Sequence, residues 1–240
     1  MESEDPQTYK YESSYFFLTL MKEKVSPSVE EYLENIYRLQ ERTHTARTKE
    51  LAERMYVSLG TVTSTVEMLE KQGLVMHKPY KGVKLTEEGK KTALDVLRRH
   101  RLAERLLTDI LHVDWTEAHE PACKLEHSLD DEVIKPLGKI LGYPKTCPHG
   151  NPIPREYGSI TREKLQPLTE LKPNESGTLI KIVEEDRDLL RHLKSIDLVP
   201  GTSVKVQKKI PFDGSIIVRL RDRERSLSSN IASVIWVRKE

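Results

Sequence analysis

The sequence is poor in features that identify several common protein classes. It has only two cysteines, Cys123 and Cys147, in 240 residues, which argues against the disulfide framework of a small secreted domain but leaves one bridge open. No apolar run approaches the roughly 20 residues of a membrane-spanning helix. The apolar cluster YFFLTLM at 15–21 is short and lacks a basic flank, so it is a poor signal peptide. We therefore expect a cytoplasmic protein without membrane contact.

An excess of one charge sign is also missing. The 39 basic and 38 acidic residues leave a formal net charge of +1, so any nucleic-acid-binding surface must be a local patch. Such a patch exists between residues 71 and 84, which contain four lysines and no acid. Residues 114–132 show the opposite bias, with seven acids against Lys124. This contrast indicates a basic element followed by an acidic segment whose charge a cation would relieve.

The first half of the sequence contains a clear order of predicted elements. A helix is predicted to open at Ser28, where Glu31 completes a capping-box pattern. A second helix, KELAERM, follows Thr48, and a third begins at Thr61. The apolar stretches LVMHK and GVKLT, joined by a turn at 79–82, then indicate a hairpin. This order is typical of a winged helix-turn-helix domain.

Short polar side chains surround the start of the third predicted helix. Hydroxyl groups there allow close approach to base edges, and a helix N-terminus attracts phosphate. The hairpin supplies basic and aromatic side chains for phosphate contacts, which position a protein without reading sequence. The candidate DNA-contacting residues are Arg47, Ser58, Gly60, Thr61, Thr63, Ser64, Lys78, Tyr80 and Lys81. Two alternatives stay open, a capped and solvated helix start and a winged helix that binds protein.

Potential metal ligands follow at helical spacing in the middle of the chain. His100 and Glu104, four residues apart, share one helix face. A second set begins at His119 and continues at offsets of four, seven and eight, within roughly 100° of one face. The second set is His119, Cys123, Glu126 and His127. These mixed nitrogen, oxygen and sulfur donors suit iron(II), cobalt(II), nickel(II) or zinc(II) better than calcium or magnesium.

Other readings of these residues are less favoured. The simplest is a charged helix surface with partly buried histidines. A hydrolase could use an open metal site to activate water, but the sequence shows no separate nucleophile, partner base or glycine-rich phosphate loop. A structural zinc site would need paired CxxC spacing, which is absent. The sequence therefore predicts a binding protein without a small-molecule substrate, and not an enzyme.

The remainder of the chain indicates a linker and a small β-domain. Helix is predicted throughout residues 86–141, with Pro121 and Pro136 near helix starts, and a proline-rich segment follows. TLIKIV, TSVKVQKKI, SIIVRL and ASVIWV are short β-type runs around one helix at 186–196, which suggests a small barrel. The fold class is thus α+β and multidomain. The expected divisions are an N-terminal extension (1–27), a winged helix-turn-helix domain (28–94), a helical dimerisation and metal-binding domain (95–157), a linker (158–172) and a β-barrel domain (173–240).

Three segments of the sequence carry a family resemblance. HRLAERLLTDIL at 100–111, EPACKLEH at 120–127 and GNPIP at 150–154 resemble the iron-dependent repressors of the diphtheria toxin repressor family. The resemblance extends from about Ser28 to the C-terminus. It implies an SH3-like (FeoA-like) third domain and a homodimer that represses iron- or other metal-homeostasis genes at a palindromic operator in double-stranded DNA. It also implies that a divalent metal ion acts as co-repressor.

The resemblance also implies a role for each candidate ligand. His100, Glu104 and His119 correspond to the family's ancillary site, and Cys123, Glu126 and His127 to its primary site. Glu31 corresponds to a further primary ligand, which is methionine in the iron-type members and a carboxylate in the manganese-type relatives. An acid of the third domain can complete the ancillary site, for which Asp186 is predicted ahead of its neighbours Glu185 and Asp188. Cys147 and His149, in CPHG, could also bind metal, but a proline-rich turn is the favoured interpretation.

The last two expectations concern which metal ion is bound and which residues form the dimer contact. Iron(II) is the expected ion, and manganese(II), cobalt(II), nickel(II) or zinc(II) are expected substitutes. The mixture of the thiol of Cys123 with the carboxylate of Glu31 leaves a manganese-responsive regulator as an alternative. A metal-insensitive winged-helix regulator is the second alternative. The apolar residues expected to support dimerisation are Leu102, Leu106, Leu129, Val133 and Leu137.

Overall fold

A computed structural model describes residues 25–78, 81–156, 158–160 and 163–240. Its first domain consists of three helices and a two-stranded antiparallel hairpin, which confirms the predicted winged helix-turn-helix order. The elements are α1 (Pro27–Thr43), α2 (Thr48–Met55), α3 (Leu59–Lys71), β1 (Val75–Lys78) and β2 (Gly82–Leu85). One face of each helix packs with Val75 and Val83 of the hairpin in a common hydrophobic core.

The predicted capping box at the start of α1 is wrong. Ser26, and not Ser28, is the N-cap, and its Oγ accepts a hydrogen bond from Val29 N. Pro27 occupies the first helical position, where the backbone N–H would have no partner within the helix, so proline costs no hydrogen bond there. Glu31 therefore lies beyond the first turn of α1, and its side chain is available for contacts with the middle domain.

The middle domain is less continuous than the helical pattern over 86–141 predicts. Its elements are α4 (Glu87–Arg105), a π-helical turn (Leu106–Ile110), α5 (His119–Glu126) and α6 (Asp131–Ile140). Helix ends before His112, which adopts the left-handed φ of 55°, and Asp114 then accepts a bond from Thr116 N in a tight turn. Pro136 lies inside α6 and not near its start. Within the described ranges, no helix is both long and apolar enough to cross a bilayer.

The third domain contains a six-stranded antiparallel sheet in the order β3-β8-β4-β5-β6-β7. Its elements are β3 (Gln166–Pro167), a 3-10 turn (Leu168–Glu170), β4 (Ser176–Ile182), α7 (Arg187–Ser195), β5 (Ser203–Lys209), β6 (Ile216–Leu220), β7 (Arg223–Leu227), α8 (Ser229–Val234) and β8 (Ile235–Lys239). Strand β7, with the sequence RERSL, is missing from the sequence prediction because its charged residues give no clear apolar alternation. Leu168 and Leu171, in the predicted linker, are fully buried in this domain's core.

A loop between α6 and β3 attaches the middle domain to the third domain. Gly150, with φ +84°, lies so close to β4 that a Cβ would meet the carbonyl oxygen of Ile180 at 1.9 Å. Asn151 Nδ2 donates hydrogen bonds to the carbonyl of Ile182 (2.7 Å) and to Glu185 Oε1 (2.9 Å). This close packing places Cys147 and the loop's other polar residues beside the end of β4.

Ion pairs form a second attachment between these domains. Basic residues of α7 face acidic residues between the π-helical turn and the first turn of α5. The pairs are Arg187–Glu117 (3.0 Å), Arg187–Glu120 (2.6 Å), Arg191–Glu117 (2.6 Å) and Lys194–Asp114. Basic residues of the third domain therefore neutralise part of the negative charge of residues 114–132.

Candidate functional site

His100, fully buried on α4, is the centre of a group of titratable side chains. Its Nδ1 lies 2.6 Å from Glu126 Oε2, and its Nε2 lies 3.2 Å from Glu104 Oε1. His119 Nδ1 is also 3.2 Å from His100 Nε2. Burial alone would lower the pKa of His100, but Glu104 and the other hydrogen-bonding partners raise it well above its usual range. His100 therefore connects acidic residues of α4 and α5 in one site.

Helix α5 presents His119 and Cys123 on its face toward α4. Cys123 Sγ lies 3.7 Å from His119 Nε2 and 3.9 Å from His100 Nδ1. Burial opposes charge on His119, but bonds to Cys123, Glu104 and Glu185 raise the pKa of the imidazole to about 11. The two histidines likewise outweigh burial and lower the pKa of the Cys123 thiol. The thiolate, which is the metal-binding form of cysteine, is thus favoured here.

Four buried residues behind His100 form what we call the inner cluster: Glu104, Cys147, His149 and Glu185. One ligand atom from each lies within 4.8 Å of the others. His149 Nδ1 is 3.2 Å from Glu104 Oε1 and 3.7 Å from Glu185 Oε1. Burial opposes ionisation of both carboxyls, but His149 lowers the pKa of Glu104 and Arg38 of α1 lowers that of Glu185, each well below its usual range. The inner cluster therefore joins the middle and third domains.

On the side that faces α1 lies the outer cluster, which we define as Glu31, Glu126 and His127. His127 Nε2 is 3.3 Å from Glu126 Oε1 and 3.8 Å from Glu31 Oε1. Glu126 is buried and burial raises its pKa, whereas the Glu31 side chain is 53% exposed. The outer cluster therefore joins the DNA-binding domain to α5 through a side chain that solvent reaches.

The residues of the inner cluster and those around His100 fit a divalent transition-metal ion. Glu104 Oε2 and His127 Nε2 are buried and, among the described residues, have no hydrogen-bond partner, although buried polar atoms normally have one. The groups of donors close enough to share an ion are His100, His119 and Cys123; His100, Glu104, His119 and Glu185; Glu104, Cys147, His149 and Glu185; and Glu34, His100 and Glu126. Imidazole and carboxylate donors, together with Cys123, favour such an ion over calcium or magnesium, whereas burial raises the pKa of the Cys147 thiol.

The structure brings together most of the ligands that the sequence predicts. Four of them lie directly against His100, namely Glu104, His119, Cys123 and Glu126, and His127 joins the group through Glu126. Glu31 lies at the exposed edge. Asp186 instead caps α7, where its Oδ1 accepts a hydrogen bond from Leu189 N (2.9 Å), and the adjacent Glu185 faces the site. The implied ancillary and primary sets are contiguous, because His100 contacts both Glu126 and Cys123.

Other residues of the centre are missing from the sequence-based set. Glu34 of α1 is buried beside His100 and Glu126, and it pairs with Arg38 at 2.8 Å. Cys147 and His149 belong to the CPHG turn, whose donor types were the only sequence signal for them. Their position beside Glu104 and Glu185 depends on the packing of that turn against β4, which residue spacing does not predict.

The candidate DNA-contacting residues gather at the start of α3. The helix begins at Leu59, two residues before the predicted Thr61, and Ser58 Oγ accepts a hydrogen bond from Thr61 N (3.1 Å). Thr63 donates its hydroxyl proton to the Leu59 carbonyl, and Ser64 donates its proton to the Thr61 carbonyl. These side chains are exposed, so they present methyl groups and oxygen lone pairs to a partner.

The remaining DNA candidates lie around this helix start. Gly60 is exposed, and a Cβ there would come no nearer than 3.7 Å to Ser58 Oγ. Arg47, at the N-cap of α2, and Lys78 and Lys81 of the hairpin are also exposed. Tyr80 lies outside the described residues. The described candidates form a polar and basic surface at the helix-turn-helix and wing.

Comparison with known families assigns all three domains. Residues 24–83 match the family described as iron dependent repressor, N-terminal DNA binding domain. Residues 86–155 match iron dependent repressor, metal binding and dimerisation domain. The chain belongs to the iron-dependent repressor family. Residues 166–239 match the FeoA domain, so the expected SH3-like third domain is confirmed. This is a family of transcriptional repressors and not of enzymes, in agreement with the sequence prediction.

The match to individual relatives extends over nearly the whole length of each relative. The chain is 36% identical over 225 residues to an iron-dependent repressor of Mycobacterium leprae (strain TN), covering 88% of this chain and 97% of the relative. It is 32% identical to the diphtheria toxin repressor of Corynebacterium diphtheriae, covering 90% and 99%. A solved manganese-dependent transcriptional repressor in complex with manganese is 33% identical with a TM-score of 0.82, covering 88% and 100%. Both iron- and manganese-dependent repressors are therefore similar to this member of the family.

Proposed function

We propose that this chain is a homodimeric transcriptional repressor whose affinity for operator DNA is raised by a divalent metal ion. The observation that supports the proposal is the position of the candidate metal ligands between domains. α1 of the DNA-binding domain, α4 and α5 of the middle domain and Glu185 of the third domain all supply donors within it. Ligands from separate domains allow binding at one site to bias the arrangement of another.

The outer cluster and Cys123 would hold the ion that couples metal to DNA. A bound ion would supply positive charge and coordination bonds that relieve the negative charge of the outer cluster. Glu31 is the member of this set on α1, so its engagement fixes the DNA-binding domain against α5. The inner cluster would hold a second ion and join the third domain to the same helix. By thermodynamic reciprocity, operator binding should raise metal affinity by the same factor.

Iron(II) is the proposed ion, with manganese(II) as the alternative. The thiol of Cys123 and the imidazoles around it favour iron(II), cobalt(II), nickel(II) and zinc(II). The carboxylates of Glu31 and Glu126 are harder donors and favour tolerance of manganese(II). Iron-dependent and manganese-dependent repressors both occur among the similar proteins, which supports this pair of candidates.

A homodimer at a palindromic operator is the proposed assembly. Ile110, Leu111 and Val133 are exposed apolar residues of the middle domain, whose family description includes dimerisation. Of the residues expected to support the dimer, Leu102 and Leu137 are instead buried in the core of one chain. A twofold dimer would present two α3 helices to successive major-groove faces of a palindromic site.

Metal-dependent DNA binding tests this proposal directly. The full chain is titrated with a labelled candidate operator in chelator, and then anaerobically with iron(II), manganese(II) or zinc(II). We expect binding to strengthen about 5- to 150-fold with metal, since coupling free energies of about 1–3 kcal/mol are typical. Equal affinity in chelator and metal would instead support a metal-insensitive regulator.

A pair of variants shows whether the metal effect arises at the proposed site. Glu126→Ala should remove most of the metal effect, because this carboxylate contacts both His100 and His127. Glu132→Gln, on the exposed surface of α6, is the matched control and should keep the full metal effect. An unchanged response in Glu126→Ala would remove Glu126 from the coupling site.

A further inference from the structure

Glu30 lies beside the metal centre but belongs to none of the sets of potential ligands described above. Its Oε2 is 2.7 Å from His127 Nδ1, and its Oε1 is 2.6 Å from the guanidinium of Arg99. The side chains of all three residues are between 12% and 14% exposed. Glu30 is on α1, Arg99 is on α4 and His127 ends α5. A single carboxylate thus connects the DNA-binding domain to two helices of the middle domain.

These contacts determine which nitrogen of His127 carries a proton. Arg99 donates hydrogen bonds to both oxygens of Glu30, at 2.6 and 3.4 Å, so both oxygens act as acceptors. His127 Nδ1 must therefore donate. The neutral ring then has its lone pair on Nε2, which is buried without a hydrogen-bond partner in the described part of the chain and faces Glu126 and Glu31.

We propose that Glu30 is a positioning residue that holds His127 in the Nδ1–H tautomer and directs Nε2 into the outer cluster. Metal-binding histidines commonly donate their second N–H to a carboxylate, which fixes the ring and increases its basicity. Here that carboxylate comes from the DNA-binding domain. The orientation of His127 therefore depends on α1 packing against the middle domain. This is a second link, besides Glu31, between metal binding and the position of the DNA-binding domain.

The tautomer is measurable without metal or DNA. Two-bond ¹H–¹⁵N correlation spectra of the imidazole rings, recorded on the chelator-treated full chain at a pH where His127 is neutral, distinguish the protonated nitrogen from the pyridine-type nitrogen. We expect a pyridine-type Nε2 in the wild type. Glu30→Ala should shift His127 toward the Nε2–H form that histidine favours in water. Glu30→Gln, which retains an acceptor oxygen, should restore the wild-type form.

A matched control separates Glu30 from a general disturbance of Arg99. Asp95, a second carboxylate paired with Arg99 (3.4 Å), has a 60% exposed side chain and is on α4. Asp95→Asn should leave the His127 tautomer unchanged. Zinc affinity of the outer cluster should fall about 10- to 100-fold in Glu30→Ala and change by no more than about twofold in Asp95→Asn.

Two results would overturn the positioning role. A wild-type His127 protonated on Nε2 contradicts it outright, whatever the variants do. A Glu30→Ala variant with unchanged tautomer but weakened zinc binding would make Glu30 a ligand and not a positioning residue. The inference rests on the proposed metal dependence only for its significance to regulation, because the tautomer measurement uses neither metal nor operator. A protein that binds DNA without metal would therefore overturn the proposed function and leave this result standing.

Discussion

The inner and outer clusters use similar donors in very different surroundings. Every residue of the inner cluster is at most 3% exposed, and its donors come from α4, the CPHG turn and the loop before α7. In the outer cluster, Glu31 is half exposed and is the only member on α1. The inner cluster is therefore assembled by folding itself, whereas the outer cluster is completed by a side chain that can leave without uncovering a core. Stability should depend on the first and regulation on the second.

The largest predicted effect is the loss of the inner cluster's central carboxylate. Glu104→Gln leaves His100 and His149 buried without the negative charge that holds their pKa values well above the usual range. Removing one partner of a buried ion pair costs about 3–5 kcal/mol. Urea denaturation of the metal-free chain at neutral pH should show a loss of this size. Glu132→Gln should be unchanged, and an equally stable Glu104→Gln variant would contradict the assignment.

A second prediction concerns pH and the residues between the clusters. His119 has a pKa of about 11 in the metal-free protein, so it carries a proton at neutral pH that a coordinating ion must displace. Metal affinity should therefore rise with pH, about tenfold per unit for each proton released. Zinc competition titrations between about pH 6 and pH 8 would measure this slope. A pH-independent affinity would show that the ion does not displace the proton of His119.

The outer cluster gives a third, smaller prediction about metal choice. Glu31→Met replaces a hard carboxylate with a soft thioether at an exposed position. Manganese(II)-dependent operator binding should weaken about tenfold relative to iron(II), while the unfolding free energy changes by less than about 0.5 kcal/mol. Parallel DNA titrations with the two metals measure the ratio. If the ratio is unchanged, Cys123 and the histidines determine the preference, and Glu31 does not.

The contrast between the clusters also shows what the sequence could predict. Helical spacing predicted that His119, Cys123 and Glu126 share a face, since such residues lie on one side of any helix. Spacing could not choose between adjacent residues such as Glu185 and Asp186, because the packing of the chain before α7 decides which one faces the site. It also could not join His149 to Glu104, because their contact depends on a loop held against β4.

The winged helix was easier to predict from the sequence than the third domain, because local signals define the first and strand pairing defines part of the second. Helix order and a turn between two apolar stretches are local signals, so the first domain followed from the sequence except for the starts of α1 and α3. Strand β7 is charged along most of its length, and its place in the sheet comes from pairing with β6. The break between α4 and α5 depends on the turn at Asp114, which the helical pattern around it conceals.

The smallest predicted effect lies at the ion pairs that attach α7 to the middle domain. Lys194 and then the Thr116 backbone N–H lower the pKa of Asp114 to about 2. Because the folded-state pKa is depressed, the pair stabilises the fold above the unfolded-state value near 4, and the effect is lost as pH falls toward 2. The Asp114 side chain is 41% exposed, so Asp114→Asn should cost no more than about 1 kcal/mol at neutral pH.

A double-mutant cycle isolates this pair from its neighbours. Asp114→Asn, Lys194→Gln and the double variant are compared by urea unfolding at low and high salt, so that only the interaction between the two residues is measured. The coupling should weaken at high salt because exposed charges are screened, whereas the Glu104→Gln effect in the buried inner cluster should change little. The Asp114–Lys194 pair is exposed to solvent, and the inner cluster is not. Equal salt sensitivity of the two effects would contradict this difference in solvent access.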